Sequence, residues 1–101
     1  MKFFEFNNYE YYALIIAESV ENALLGYEEE VADIYEGEQE LSPDEVTLEH
    51  SLSKYIKGDI EGCYSDEEKI NDFHNNIDYY KDSIHNKNGK YLILLIDGGL
   101  I

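Results

Sequence analysis

The chain has 101 residues, 23 carboxylates, seven lysines and no arginine, for a formal net charge of −16 at pH 7. That length builds one domain, residues 1–101, with a single modest core, and is too short for a catalytic domain plus a regulatory one. So acidic a chain cannot hold nucleic acid by neutralising phosphates, which takes a surplus of Lys and Arg, and anionic membrane surfaces repel it.

Disorder does not follow from the charge, because 44% of the residues are hydrophobic and ten tyrosines help bring the aromatics to 14%, enough for a core. The longest apolar runs, Ala13–Ala17 and Tyr91–Ile96, fall well short of the ~18 residues of a spanning helix. Only Met1 and Lys2 precede Phe3-Phe4-Glu5-Phe6, and no signal peptide is visible. A single cysteine, Cys63, cannot close an internal disulfide and fits a reducing compartment. The expectation is a protein of the cytoplasm.

In chain order, Phe3 to Ala17 is dense in aromatic and β-branched residues and reads as extended, with Asn7-Asn8 either turning a hairpin or interrupting one long strand. Apolar residues occupy both parities between Tyr9 and Ala17, as in a strand covered on both faces. Ser19 is then an N-cap, and Val20, Leu24, Tyr27, Val31 and Ile34 recur at helical spacing, widened by Ala23 and Tyr35. Gly26 weakens this helix by about 1 kcal/mol without breaking the pattern, and Gly37 ends it. Glu38 to Leu41 is a polar connector. Ser42-Pro43-Asp44-Glu45 has the form of a capping box and predicts a second helix, with Leu48, Leu52, Tyr55 and Ile56 inward and Gly58 as its stop. Asp59–Tyr64 is a loop. Ser65-Asp66-Glu67-Glu68 opens a third helix along Ile70, Phe73, Ile77, Tyr80 and Ile84. Asn86 to Gly89 is a turn cluster, Tyr91–Ile96 an apolar strand, and Asp97-Gly98-Gly99 a final turn. The predicted fold is α+β: a small sheet of the N-terminal strands and the C-terminal strand, packed against three amphipathic helices. Strand order is not readable.

Charge is lopsided along this plan. From Phe3 through Ser53 there are 14 carboxylates and no Lys, whereas Lys54 to Ile101 holds nine carboxylates against six lysines. Two like charges ~6 Å apart repel by roughly 0.7 kcal/mol even at the dielectric of water, so interspersed lysines would relieve a real cost. Glu21, Glu28, Glu29, Asp33 and Glu36 fall on the outer side of the first predicted helix, Glu30 completes the run, and Glu38, Glu40, Asp44, Glu45 and Glu49 extend the field through the connector into the second.

Other chemistries find no footing. Neither Asp33–Glu45 nor Asp59–Glu68 has the register of a helix–loop–helix calcium loop. Cys63, His74 and His85 are eleven residues apart each time, too far for a zinc cluster, and the two histidines suit partly exposed helix positions. Cys63 lies among Asp59, Glu61, Asp66, Glu67 and Glu68, which would raise rather than lower a thiol pKa. There is no glycine-rich phosphate loop and no Gly-x-Ser-x-Gly elbow. Tyr9, Tyr11 and Tyr12 have no basic neighbours to hold phosphates, so they read as core with hydroxyls at the rim. The expectation is a non-enzyme with no metal and no cofactor.

With its acid run of Glu28–Glu30, Asp33, Glu36, Glu38, Glu40, Asp44 and Glu45 on a small single domain, the chain resembles the DNA mimics of phages and mobile elements, the anti-CRISPR and anti-restriction proteins. Its Asn-, Ile-, Lys- and Tyr-rich composition is similar to that of a low-GC Gram-positive phage or plasmid. The resemblance is one of composition; it transfers no fold and no aligned motif. It implies a stoichiometric inhibitor whose acid face enters the Lys/Arg-lined cleft of a nucleic-acid-processing enzyme such as an RNA-guided nuclease, with no direct nucleic-acid or membrane contact. The competing expectation is an accessory or antitoxin-like interaction module that docks through an apolar patch and is acidic only for solubility.

Overall fold

In the computed structural model, which describes residues 1–34, 36–38, 41–86 and 89–96, the aromatic N-terminal stretch folds back on itself. Strand β1 (Lys2–Phe6) pairs antiparallel with β2 (Ala13–Ala17), Phe4 opposite Ile15. The hairpin connection is residues 7–12, longer than an Asn7-Asn8 turn, because Tyr9 and Tyr12 leave the strands to reach partners elsewhere. The Tyr9 hydroxyl donates to the Leu41 carbonyl at 3.0 Å and that of Tyr12 to Glu5 Oε2 at 2.7 Å. Tyr9 is core with its hydroxyl at the edge, as its sequence context predicts, whereas Tyr12 is half-buried with its hydroxyl on buried Glu5, and Tyr11, also half-buried, joins neither core cluster of the described residues.

Strand β4 (Tyr91–Ile96) pairs antiparallel with the other side of β2, and β3 (Asp44–Val46) with the outer side of β1, giving the order β3-β1-β2-β4. A bulge at Leu14/Ile15 leaves Leu94 outside the regular pairing. Leu94 and Leu95 both pack toward the cluster that contains Leu14.

Both parities of β2 are buried because both faces of the sheet are covered. Phe4, Phe6, Ala13, Ile15 and Ala17 pack with Tyr27 and Ala23 of helix α1 (Val20–Glu30) on one face. Phe3, Leu14, Ile16 and Leu94 pack on the other with Tyr55 of α2 (Leu48–Lys57) and Phe73, Ile77 and Tyr80 of α3 (Asp66–Asn86). Each fully buried Leu, Ile or Phe contributes about 1.5–3 kcal/mol, so the two faces share the stabilisation of this α+β domain.

The helices depart from the sequence pattern at two places. Helix α1 starts on Ser19, whose Oγ accepts from the Asn22 amide at 3.2 Å, but it stops at Glu30 instead of running to Gly37. Val31 and Ala32 both donate their amides to the Tyr27 carbonyl, closing the helix. The physical reason lies in Glu28-Glu29-Glu30: three carboxylates occupy the last turn, where the helix dipole is negative and no base offsets it. Val31, Ala32 and Ile34 still pack on the α1-side core, now as connector, and Gly37 belongs to a single 3-10 turn, Glu36–Glu38.

The second departure is at Ser42-Pro43-Asp44-Glu45, which is not a helix start. Asp44–Val46 form the edge strand β3 on β1, and proline is tolerated just ahead of an edge strand. Thr47 is the N-cap instead, its Oγ1 accepting from the His50 amide at 3.0 Å. Gly58 ends α2 as predicted. Lys69 Nζ completes that end by donating to the carbonyls of Ile56 (3.0 Å) and Gly58 (2.8 Å). Helix α3 begins on Ser65, whose Oγ accepts from the Glu68 amide. Lys87, Asn88 and the turn expected at Asp97–Gly99 lie outside the described residues. Among those described, no helix is long and apolar enough to cross a membrane.

Candidate functional site

The imbalance of charge along the chain becomes an imbalance between the two sides of the sheet. Helix α1 and the connector after it carry carboxylates and no lysine, whereas Lys54, Lys57, Lys69 and Lys81 all stand on α2 and α3, across the sheet. Lys2 and Lys90 sit at strand ends.

Glu21, Glu28, Asp33 and Glu36 are exposed on the α1 side. Glu21 and Glu28, two helical turns apart, rim an open groove of about 420 Å³ whose floor is Leu24, Leu25, Ile34 and Leu41, with Glu38 on the far bank. Glu38 also accepts from the Glu10 amide at 2.6 Å, tying the connector to the hairpin loop. Glu29 and Glu30 turn toward β4, where the Tyr91 hydroxyl donates to Glu30 Oε1 at 3.0 Å and to Glu29 Oε2 at 3.4 Å. Partial burial and these two carboxylates push the Tyr91 hydroxyl up to about 12.

Of the remaining members of the predicted acid face, Glu49 stands in the first turn of α2, across the sheet from α1, while Asp44 and Glu45 lie on a strand. Glu45 lies on β3 and pairs with Lys2 at 3.7 Å. Strand alternation puts Asp44 on the opposite face from Glu45, the side of α2, where it accepts from Asn7 Nδ2 at 3.4 Å. Glu40 lies outside the described residues. The structure therefore gathers Glu21, Glu28, Asp33, Glu36 and Glu38 along α1 and its connector, engages Glu29 and Glu30 with Tyr91, and sets Asp44 apart.

A second polar cluster escaped sequence reasoning. Glu5, 3% exposed on β1, accepts from Asn7 Nδ2 (2.9 Å) and Tyr12 (2.7 Å), and its Oε1 pairs with His50 Nε2 at 2.9 Å. Burial alone would raise the Glu5 pKa, but the hydrogen bonds from Asn7, Tyr12 and His50 outweigh it and hold the carboxyl below its ordinary value. The sequence signal was present: Glu5 is the charge inside Phe3–Phe6, in a sheet read as covered on both faces. The cluster ties α2 to β1.

Cys63 is half-buried, and burial, Asp72 and Glu68 raise its thiol pKa, the direction expected, although Asp72 is a neighbour through the fold rather than through the chain. His74 and His85 are exposed on α3. Among the described residues no three His, Cys, Asp or Glu side chains converge as a metal site requires. What the α1 side offers chemically is a negative field around an apolar floor.

Residues 1–91 match the family model of the YosH C-terminal domain, so the chain belongs to that family. No curated protein and no solved structure matches it.

Proposed function

Taking the chain as a member of that family, we propose that it is a non-enzymatic inhibitor of the bacterial cytoplasm. Its acidic α1 side occupies the basic nucleic-acid-binding cleft of a nuclease, such as an RNA-guided CRISPR effector. The observation that carries this reading is the segregation of charge. Glu21, Glu28, Asp33 and Glu36 are exposed along α1 and its connector, which hold no lysine, while four lysines stand among the seven carboxylates of α2 and α3. A one-signed face steers association with a cationic cleft and competes with a phosphate backbone for the same Lys and Arg. Inhibition is stoichiometric and salt-sensitive. The test is the rate at which such a nuclease, isolated from a low-GC Gram-positive host, loads its DNA target with and without the protein at low and high salt. Slowed loading at low salt that recovers at high salt supports the reading, and unaffected loading at low salt contradicts it.

A second reading has an observation of its own in the apolar floor of the α1 groove. On that reading the protein is a phage or plasmid accessory module that docks through apolar contact, and its acids are passive. Reversing Glu28, Glu29 and Glu30 to Lys abolishes partner binding on the first reading and leaves it nearly unchanged on the second.

A further inference from the structure

We infer that the groove between α1 and its connector is a docking site for a partner-protein segment that sets an apolar side chain between Lys or Arg residues. The inference deepens the acidic-face reading and rests on it for the role of the rim. Three of the floor residues, Leu24, Ile34 and Leu41, have inner surfaces packed on the core around Phe6 and Tyr27, and the core alone accounts for them. Leu25 is different. It lines the groove half-buried and, among the described residues, belongs to neither core cluster; it stands on α1 with Glu21 one turn before it and Glu28 one turn after. A leucine held among carboxylates, off the core, gains free energy when an apolar group covers it.

The rim then selects what covers it. A second copy of this chain, itself at a net charge of −16, would bring more negative than positive charge toward Glu21 and Glu28, and like charges brought together at an interface cost free energy. A nucleic-acid strand is repelled for the same reason. A small ligand is held in a pocket that buries most of its surface, whereas this groove lies open on the helix. A protein segment with one apolar anchor flanked by cations matches both the floor and the rim, and leaves no buried charge unpaired. Phosphate-binding clefts are not by themselves apolar, so the inference adds a requirement that charge mimicry lacks.

The experiment titrates the full chain with two peptides of equal charge, an amphipathic leucine–lysine peptide and an oligolysine, following affinity by fluorescence anisotropy and location by amide chemical shifts. The amphipathic peptide is expected to bind about tenfold more tightly, with shifts centred on Leu24, Leu25, Ile34 and Leu41. Leu25→Ser is expected to weaken it about fivefold and to leave oligolysine unchanged; Leu25→Ala, the milder helix-favouring variant, gives the same split. Glu21→Gln with Glu28→Gln weakens both peptides. If Leu25 substitutions leave the amphipathic peptide unaffected, or its shifts centre elsewhere, the docking inference is overturned. The acidic-face reading still stands provided the glutamate substitutions weaken oligolysine. If those substitutions change neither peptide, the acidic-face reading falls and takes the inference with it.

Discussion

Gly26 of α1 lies against the ring of Tyr91 on β4, so close that a Cβ at residue 26 would stand 2.8 Å from the ring's Cγ and Cδ1 and 3.3 Å from the Tyr91 Cβ. The same tyrosine extends its hydroxyl to Glu29 and Glu30. The glycine that weakens the helix on propensity is therefore what lets the acidic helix seat on the sheet edge. Gly26→Ala gains about 1 kcal/mol of helix propensity but overpacks against the root of a ring rather than the tip of a flexible chain. We expect a net loss of about 1–2 kcal/mol in urea unfolding. Net stabilisation would mean that the contact has room to relax.

Glu5 makes stability depend on pH in a defined direction. Its folded pKa lies below the ordinary 4.5, so its contribution is complete above the ordinary carboxylate range and disappears as pH falls through the lowered folded value. Glu5→Gln presents an amide to donors that now lack a charged acceptor. The variant is expected to be less stable at pH 7 by about 1–3 kcal/mol. Its disadvantage should shrink as the pH is lowered through the acid range, which denaturant titrations at several pH values would read directly.

The start of α2 is set by Thr47, not Ser42. Thr47→Ala removes the acceptor of the His50 amide and is expected to cost about 1 kcal/mol. Ser42→Ala, ahead of an exposed edge strand, should change the urea midpoint by no more than the few tenths typical of a surface site. Equal losses at both positions would restore Ser42 as a cap.

Glu28 gives stability and binding opposite signs. It sits in the last turn of α1, where a negative charge opposes the helix dipole. Glu28→Lys should raise stability by about 0.3–1 kcal/mol while weakening attachment to a basic partner. A solvated face with no partner would show the first effect without the second.

How much of this was legible in the sequence depends on whether neighbours in the chain or neighbours in space decide the outcome. The stretches Val20–Leu24 and Ile70–Ile84 declare helices because their periodicity and caps are local, and Tyr91–Ile96 declares a strand because nothing in it is polar. Doubly apolar β2 already announced a sheet covered on both sides. Asp44–Val46 misled because a good capping box was overridden by pairing with β1, a contact across some forty residues of chain. Val31 and Ile34 misled because apolar spacing continues after the helix has ended, serving a connector that packs on the same core. The acids were legible as a lopsided count, but not as a layer. Which of them rim a groove, face Tyr91 or fall on the opposite side follows from the strand order β3-β1-β2-β4, which no local pattern encodes.

The measurement that bears most directly on the central claim compares two charge-reversed proteins of equal net charge in the nuclease DNA-loading assay. One carries Glu21→Lys, Glu28→Lys and Glu36→Lys on the α1 side; the other carries Glu61→Lys, Glu67→Lys and Asp78→Lys, exposed on the side of α2 and α3. If the α1 side is the binding face, the first protein loses inhibition at low salt and the second retains it. Equal loss by both, or retention by the first, would show that the acidic α1 side is not what the partner reads.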